Sequence, residues 1–187
     1  MTGEQRKRTI TRLNGANRVD AFEAAKAVWE DSDVRLERSL ILTLKTGRRP
    51  FNRAAAAFAM QMVATPKTVR ALESAVKNKS ERPRVRGEAA EALAHHHRNR
   101  SHSVLLAGLT DSSKDVRFWC AFALGEMAEK RAIPLLKHLA ATDRRIVMGF
   151  HSVAKEAADA IENIRSEKSA HRQKDGCVFC VRESLRT

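Results

Sequence analysis

Residues 115–125 read DVRFWCAFALG, and the tetrad that begins at Ala121, Ala-x-Ala followed by an aliphatic residue, decides the fold. The same tetrad begins at Ala25, Ala57, Ala90, Ala121 and Ala158, so successive copies are 32, 33, 31 and 37 residues apart. A second aliphatic column precedes the copies, at Leu13, Leu44, Val76, Leu109 and Leu139. Two columns with one common period indicate an array of structural repeats.

Each repeat predicts a helix, a polar turn and a second helix. The first helices are expected near 4–13, 36–45, 67–77, 102–109 and 131–141, and the second near 19–30, 52–64, 85–97, 115–129 and 151–165. Within the second helices, the alanine and aliphatic columns recur at helical spacing and predict one buried stripe. The sequence therefore predicts an all-α fold, an α-solenoid of about five helical hairpins over residues 1–165, followed by a polar tail, 166–187.

Composition narrows the class of protein. Aromatic residues make up 5% of the chain and tyrosine is absent, which favours helices packed through small side chains over a sheet. No long apolar run predicts a membrane span, the first residues show no secretory signal, and three cysteines are too few for a disulfide framework. We expect a cytoplasmic protein. The formal net charge of +13 suits either an anionic partner or simple solubility.

Two segments resemble a known repeat family. They are residues 132–139, AIPLLKHL, and Asp115-Val116-Arg117 running into the tetrad at Ala121. Both resemble HEAT repeats, most closely the short type named after phycobilisome lyases, and the resemblance covers about residues 5–165. It implies a HEAT-like solenoid but not one function, because this repeat serves scaffolds, inhibitors, chromophore lyases, metal hydroxylases and DNA glycosylases.

Arg53, Arg86 and Arg117 occupy one column, four residues before the first alanine of a copy. One hypothesis is a row of cations for phosphate groups. The other, implied by the resemblance, is a structural ladder in which each arginine bonds an aspartate or carbonyls of adjacent turns.

The turns between first and second helices carry further cations, which we call the basic ridge. Equivalent turns stack along one edge of a solenoid, so these cations are expected to form a continuous edge. The edge is either a solvated surface or a binding surface for a phosphate backbone or an acidic protein. The basic ridge comprises Arg48, Arg49, Lys79, Arg82, Arg84, Lys114, Arg144 and Arg145.

One face of the second helices is predicted to lie away from the alanine stripe. It is mostly acidic, but Phe58, Met62, Trp119 and Phe122 interrupt it. Large apolar side chains at exposed positions are typical anchors of protein interfaces. Irregular supercoiling would instead bury them.

The tail contains Cys177-Val178-Phe179-Cys180, with His171 upstream. A Cys-x-x-Cys pair is half of a zinc site and His171 is a candidate third ligand, but a closed structural site needs four ligands. A redox pair and two unremarkable thiols remain as alternatives. Beyond this candidate zinc site we expect no cofactor.

The sequence contains no glycine-rich phosphate loop, no nucleophile motif and no His-Glu dipeptide of the kind the hydroxylases carry. We therefore predict that the chain is not an enzyme. We expect a protein-binding scaffold or adaptor that uses the exposed second-helix face. The alternative is a nucleic-acid-binding protein that uses the basic ridge, distantly like the HEAT-like DNA glycosylases.

Overall fold

The computed structural model describes residues 1–96 and 101–166. These residues form ten α-helices, and the prediction of an all-α solenoid of about five hairpins is confirmed. The helices are α1 (Gly3–Leu13), α2 (Arg18–Asp31), α3 (Glu37–Thr46), α4 (Pro50–Ala59), α5 (Pro66–Lys77), α6 (Pro83–Ala94), α7 (His102–Gly108), α8 (Lys114–Glu126), α9 (Ile133–Thr142) and α10 (Val153–Arg165).

Local sequence explains where the helices begin. Thr2 and Thr65 each cap a helix in a capping box, and Asn17 accepts hydrogen bonds from the first N–H groups of α2. Pro50 and Pro83 stand at the first position of α4 and α6, where a missing N–H costs nothing. No helix in 1–96 or 101–166 is long and apolar enough to cross a membrane.

The helices form two layers. Each odd-numbered helix packs against the even-numbered helix that follows it, which makes the five hairpins. The even-numbered second helices then pack in order, α2 on α4, α4 on α6, α6 on α8 and α8 on α10, while α3, α5 and α7 form the other layer. Arg84 of α6 lies over the ring of Phe22 of α2, at 5.6 Å from the centroid, so second helices two repeats apart approach each other. This contact indicates that the second helices form the inner layer of the curve.

Small residues set the close spacing of the second helices. A Cβ added at Gly125 of α8 would lie 2.8 Å from the Cα of Ala160 in α10. A Cβ added at Gly87 of α6 would lie 2.7 Å from Cδ1 of Trp119 in α8. The second alanine of the tetrad is buried in the last four repeats. The first alanine of the tetrad is buried in the first four repeats but exposed in the last one, at Ala158. Among the described residues α10 has a second-helix neighbour on one side only, which explains this exposure.

Gly125→Leu tests this spacing. The added side chain would meet backbone rather than a movable side chain, so α8 and α10 would have to separate. We expect the free energy of unfolding to fall by about 1–3 kcal/mol or more in urea titrations. Ala158→Leu, on the exposed face of α10, is the matched control and should change stability by less than about 0.5 kcal/mol. Equal stability of the two variants would contradict the packing described here.

Candidate protein-binding face and basic edge

The column arginines join each repeat to the next one. Each side chain bonds a carbonyl at the end of its own first helix or in the turn after it, and a carboxylate in the following turn. We call this set the arginine ladder. Its members pair as Arg53 with Glu81, Arg86 with Asp111, and Arg117 with Asp143.

The geometry is regular along the array. Arg53 donates from Nε to Glu81 at 2.6 Å and from Nη1 to the carbonyl of Gly47 at 2.7 Å. Arg86 donates from Nε to the carbonyl of Val76 at 3.1 Å and from Nη1 to Asp111 at 3.2 Å. These contacts favour the structural hypothesis for the column arginines, since their guanidinium groups are occupied within the turns.

Asp111 and Asp143 of the arginine ladder are buried and remain charged, and Glu81 is partly buried. Burial by itself would raise the pKa of Asp111, but hydrogen bonds from Arg86, Lys79 and the N–H of Ser113 hold that pKa well below its usual range. Burial opposes the effect of Arg145 and Arg117 on Asp143 in the same way, and its pKa is also lowered.

The first repeat lacks a column arginine and uses an amide instead. The buried Asn52 of α4 donates from Nδ2 to the carbonyls of Leu13 and Gly15, at 2.7 and 3.1 Å. Asn14 and Thr43 add a side-chain hydrogen bond between the same two repeats. An amide suffices here because the acceptors are uncharged carbonyls.

The basic ridge lies along the turn edge, outside the arginine ladder. Two of its members are bound to ladder carboxylates, since Lys79 pairs with Asp111 and Arg145 with Asp143. Lys114 donates to the carbonyl of Ile146. Among the described residues no carboxylate lies within ion-pair distance of the remaining members, which are Arg48, Arg49, Arg82, Arg84 and Arg144.

The second-helix face is less exposed than the sequence predicts. Phe58 is only 4% exposed and packs against Phe22, with ring centroids 6.4 Å apart. The prediction that Phe58 is a solvent-facing anchor is therefore wrong. Glu88 and Glu91, two of the acidic residues of the predicted second-helix face, are also buried rather than exposed. The physical reason is the close spacing of the second helices, which covers side chains on both flanks of the alanine stripe.

Three of the four predicted anchors remain accessible. Met62 is 40% exposed just beyond the end of α4, and Trp119 and Phe122 of α8 are half-buried. Met62 lies at one end of the face, away from the other two along the chain, whereas Trp119 and Phe122 touch each other edge to face, with centroids 5.7 Å apart.

Trp119 is the centre of an aromatic cluster that includes residues the sequence did not single out. Its ring lies edge-on to Phe118 and to Phe150, with centroids 5.1 Å away in each case. Phe150 belongs to the segment between α9 and α10, and Gly87 leaves room for the indole on the other side. The available signal was the last repeat interval, 37 residues instead of 31–33, which shows that extra chain is inserted there.

A buried acid lies beside this cluster. Glu156 of α10 is 8% exposed, and its Oε2 is 3.0 Å from Nε2 of His151. Burial, together with the charges of Asp159 and Glu126, raises the pKa of Glu156 to about 8, and burial lowers the pKa of His151. Both pKa shifts favour the uncharged form of the group concerned near neutral pH.

The predicted zinc ligands Cys177, Cys180 and His171 lie outside the described residues. Within 1–96 and 101–166, no group of three or more His, Cys, Asp or Glu side chains has the arrangement of a metal site. Cys120 is buried against α7, and burial raises the pKa of its thiol to about 12, so it is not poised as a nucleophile.

The architecture defines the chain as a helical-repeat solenoid, and the comparisons with known proteins identify the repeat. Residues 78–149 match the family described as HEAT repeats, which confirms the recognition of HEAT repeats from the sequence. No curated protein matches the chain.

Solved structures share the fold. A chain of the complex of CpcE and CpcF of phycocyanin lyase from Nostoc sp. PCC7120 matches with a TM-score of 0.68 and 17% identity, over 87% of this chain and 99% of that one. An engineered protein matches with a TM-score of 0.51 and 23% identity, over 88% and 81%. Human deoxyhypusine hydroxylase in complex with glycerol is a more distant match, with a TM-score of 0.41 and 18% identity, over 94% and 80%.

One prediction needs correction in light of these matches. The prediction that the chain is not an enzyme rested on the absence of catalytic motifs from the sequence. The match to a chain of a lyase complex contradicts this prediction. The Nostoc structure belongs to a phycocyanin lyase, so a solenoid of this shape serves in an enzyme complex. The identity of 17% limits the likeness to the fold.

Arg86→Met tests the arginine ladder. It leaves Asp111 buried without its main partner, and we expect a loss of about 3–5 kcal/mol in the free energy of unfolding at pH 7. Arg82→Met, at an exposed position of the turn before α6, is the matched control and should cost less than about 1 kcal/mol. Because the pKa of Asp111 is lowered in the fold, the wild-type advantage should shrink as pH falls below about 4. An advantage that stays constant down to pH 2 would contradict the account.

Glu156→Gln tests the buried acid. A pKa raised in the fold means that folded Glu156 holds its proton up to about pH 8, whereas unfolded Glu156 loses it near 4.5. Wild-type stability should therefore fall relative to Glu156→Gln as pH rises from 5 to 8, by up to about 4 kcal/mol. Urea titrations across this range measure the difference, with the exposed Glu162→Gln as control. A wild-type protein that gains stability relative to Glu156→Gln over this range would show that the carboxylate is charged in the fold.

Proposed function

We propose that this chain is a HEAT-repeat scaffold or adaptor that binds a protein partner through its second-helix face. The contact surface centres on Trp119 and Phe122 of α8, with Phe150 beside them and Met62 at the end of the face. The partner lies along the inner layer of the curve, where several repeats present side chains to one ligand.

The aromatic cluster is the observation that carries this proposal. Trp119 is half-buried and packed edge to face with three other rings, so its orientation is set before a partner arrives. A fixed aromatic side chain loses little conformational entropy on binding and still offers a large apolar area. Tryptophan in such a setting is the residue type most enriched among interface hot spots.

The matched Nostoc structure supports a partner that is a protein. Its chain shares the fold over 87% of this chain and is described in a complex of two different proteins, CpcE and CpcF. A solenoid of this size therefore works as one half of an assembly in at least one case.

A second candidate function is suggested by the charge of the turn edge. The ladder arginines bind Glu81, Asp111 and Asp143, and only Lys79 and Arg145 of the basic ridge share those carboxylates. Arg48, Arg49, Arg82 and Arg84 are then a row of cations over two consecutive turns, which fits the phosphates of a nucleic acid.

Quantitative affinity purification separates the two functions. Wild type, Trp119→Ala and Phe122→Ala are used as baits in extract from the source organism, with nuclease treatment in parallel. We expect a protein partner that survives nuclease and binds roughly 30-fold more weakly after Trp119→Ala, the effect of losing about 2 kcal/mol at a central anchor. Leu42→Ala, at an exposed position of α3 in the other layer, should bind as wild type does.

The opposite result has a distinct signature. The second function is favoured if the chain binds duplex DNA or RNA at physiological salt and the affinity falls steeply as salt is added. This binding should be abolished by reversing the charges of Arg48, Arg49, Arg82 and Arg84, and it should be unchanged by Trp119→Ala. The protein-binding proposal is contradicted if, in addition, no nuclease-resistant partner is lost or weakened in the Trp119→Ala variant.

A further inference from the structure

The segment between α9 and α10, residues 143–152, departs from the other turns of the array. We call it the 143–152 loop. Corresponding turns elsewhere contain three residues between α3 and α4 (47–49) and five between α5 and α6 (78–82) or α7 and α8 (109–113). The extra residues form a small hairpin, in which Ile146 and Ser152 make an isolated antiparallel bridge.

The backbone of the 143–152 loop is held by hydrogen bonds at both ends and at its tip. The N–H groups of Val153 and Ala154 donate to the carbonyls of Arg145 and Asp143, at 3.0 and 2.8 Å. At the tip, the N–H of Phe150 donates to the carbonyl of Val147 at 2.9 Å. Gly149 has a φ of 79°, a left-handed conformation that suits glycine and closes the tip.

Side chains of the loop alternate between the core and the solvent. Val147 is 5% exposed and Phe150 packs in the aromatic cluster, so these two residues hold the loop on the solenoid. Ile146, just before Val147, is 65% exposed, and Met148, just after it, is 85% exposed. Two large apolar side chains thus stand in solvent on a loop whose own core residues are buried.

The surroundings of these apolar side chains are cationic. The only carboxylate of the loop, Asp143, is buried and shared by Arg117 and Arg145, which leaves a net positive charge on that group. Arg144 is exposed and has no carboxylate within ion-pair distance among the described residues, and Lys114 lies against the loop through the carbonyl of Ile146.

An acid in the second turn of α10 is already paired within its own helix. Asp159 pairs with Lys155 of the same helix, at 2.6 Å from Nζ to Oδ2. Asp115, which follows Lys114 in α8, is a further partly exposed acid. Among the loop residues together with Lys114, Asp115 and Arg117, four cations (Arg144, Arg145, Lys114 and Arg117) stand against two carboxylates (Asp143 and Asp115), so the charge of this group is positive.

From this geometry we propose that the 143–152 loop is a docking element for an acidic protein segment that carries apolar side chains. Ile146 and Met148 enter the apolar part of the partner, while Arg144, Arg145 and Lys114 face its carboxylates. Methionine suits such a contact because its unbranched side chain adapts to the shape of a pocket. The hydrogen-bonded backbone is ordered in advance, which reduces the entropy lost on binding.

Phe150 of this loop borders the second-helix face through Trp119, but the exposed Ile146 and Met148 lie outside that face, so their proposed role goes beyond the function proposed above. The 143–152 loop belongs to the turn edge, next to the start of α8, whereas Phe122 lies further along α8 in the inner layer. A partner could contact either surface without the other, so the two proposals can fail independently.

A display library of random dodecapeptides, panned on the immobilised full-length protein, tests the proposal. We expect the enriched peptides to combine aspartate or glutamate with leucine, phenylalanine or methionine. Fluorescence anisotropy then measures their affinity, which should weaken at least about tenfold in the double variant Ile146→Ser with Met148→Ser. Charge reversal of Arg144 should also weaken it, and added salt should have the same effect.

Two variants serve as controls for fold and surface. Val19→Ser removes an equally exposed apolar side chain at the far end of the array and should bind the peptides as wild type does. Phe122→Ala should also leave peptide affinity unchanged, which separates this surface from the second-helix face. Thermal unfolding of each variant shows that the solenoid is intact.

The proposal is overturned if the double variant binds the enriched peptides as tightly as wild type, or if the enriched peptides lack acidic residues. It is equally overturned if vesicles of phosphatidylserine and phosphatidylcholine bind in a Met148-dependent manner while no acidic peptide does, since the loop would then be a membrane contact.

Discussion

The close approach of the second helices is the constraint on which the rest of this structure depends. Gly125 lies directly against the backbone of Ala160, and Gly87 lies against the indole of Trp119, so neither position leaves room for a larger residue. This spacing buries Phe58 and the carboxylates of Glu88 and Glu91. It also brings consecutive turns near enough for one arginine side chain to bridge them.

The arginine ladder has a second consequence, which concerns charge. Each ladder arginine occupies a carboxylate of the next turn within the array, as Arg117 does with Asp143, so the acids of the turn edge are largely withdrawn from the surface. Lys79 and Arg145 share these carboxylates, whereas Arg48, Arg49, Arg82, Arg84 and Arg144 have no carboxylate within ion-pair distance among the described residues. Eight of the 35 lysines and arginines in the sequence belong to the basic ridge at the turn edge, while the partly apolar face lies on the inner layer.

Much of the fold could be predicted from the sequence, because periodicity reports which face of a helix is buried. The predicted second helix at 115–129 and the observed α8, Lys114–Glu126, differ only at the ends. Phe58 could not be placed in this way, because its accessibility depends on how near α2 and α6 lie. The roles of Phe150 and Glu156 depend on the path of the 143–152 loop, and the longer last interval shows only that extra chain is present.

The most direct test of the central claim is hydrogen–deuterium exchange of the protein alone and in complex with its purified protein partner. The account predicts slower exchange in the complex at amides of α8 around Trp119 and Phe122, together with the segment around Phe150, and unchanged exchange in α3. Unchanged exchange in α8, with protection confined to the turns that contain Arg48, Arg49, Arg82 and Arg84, would contradict it.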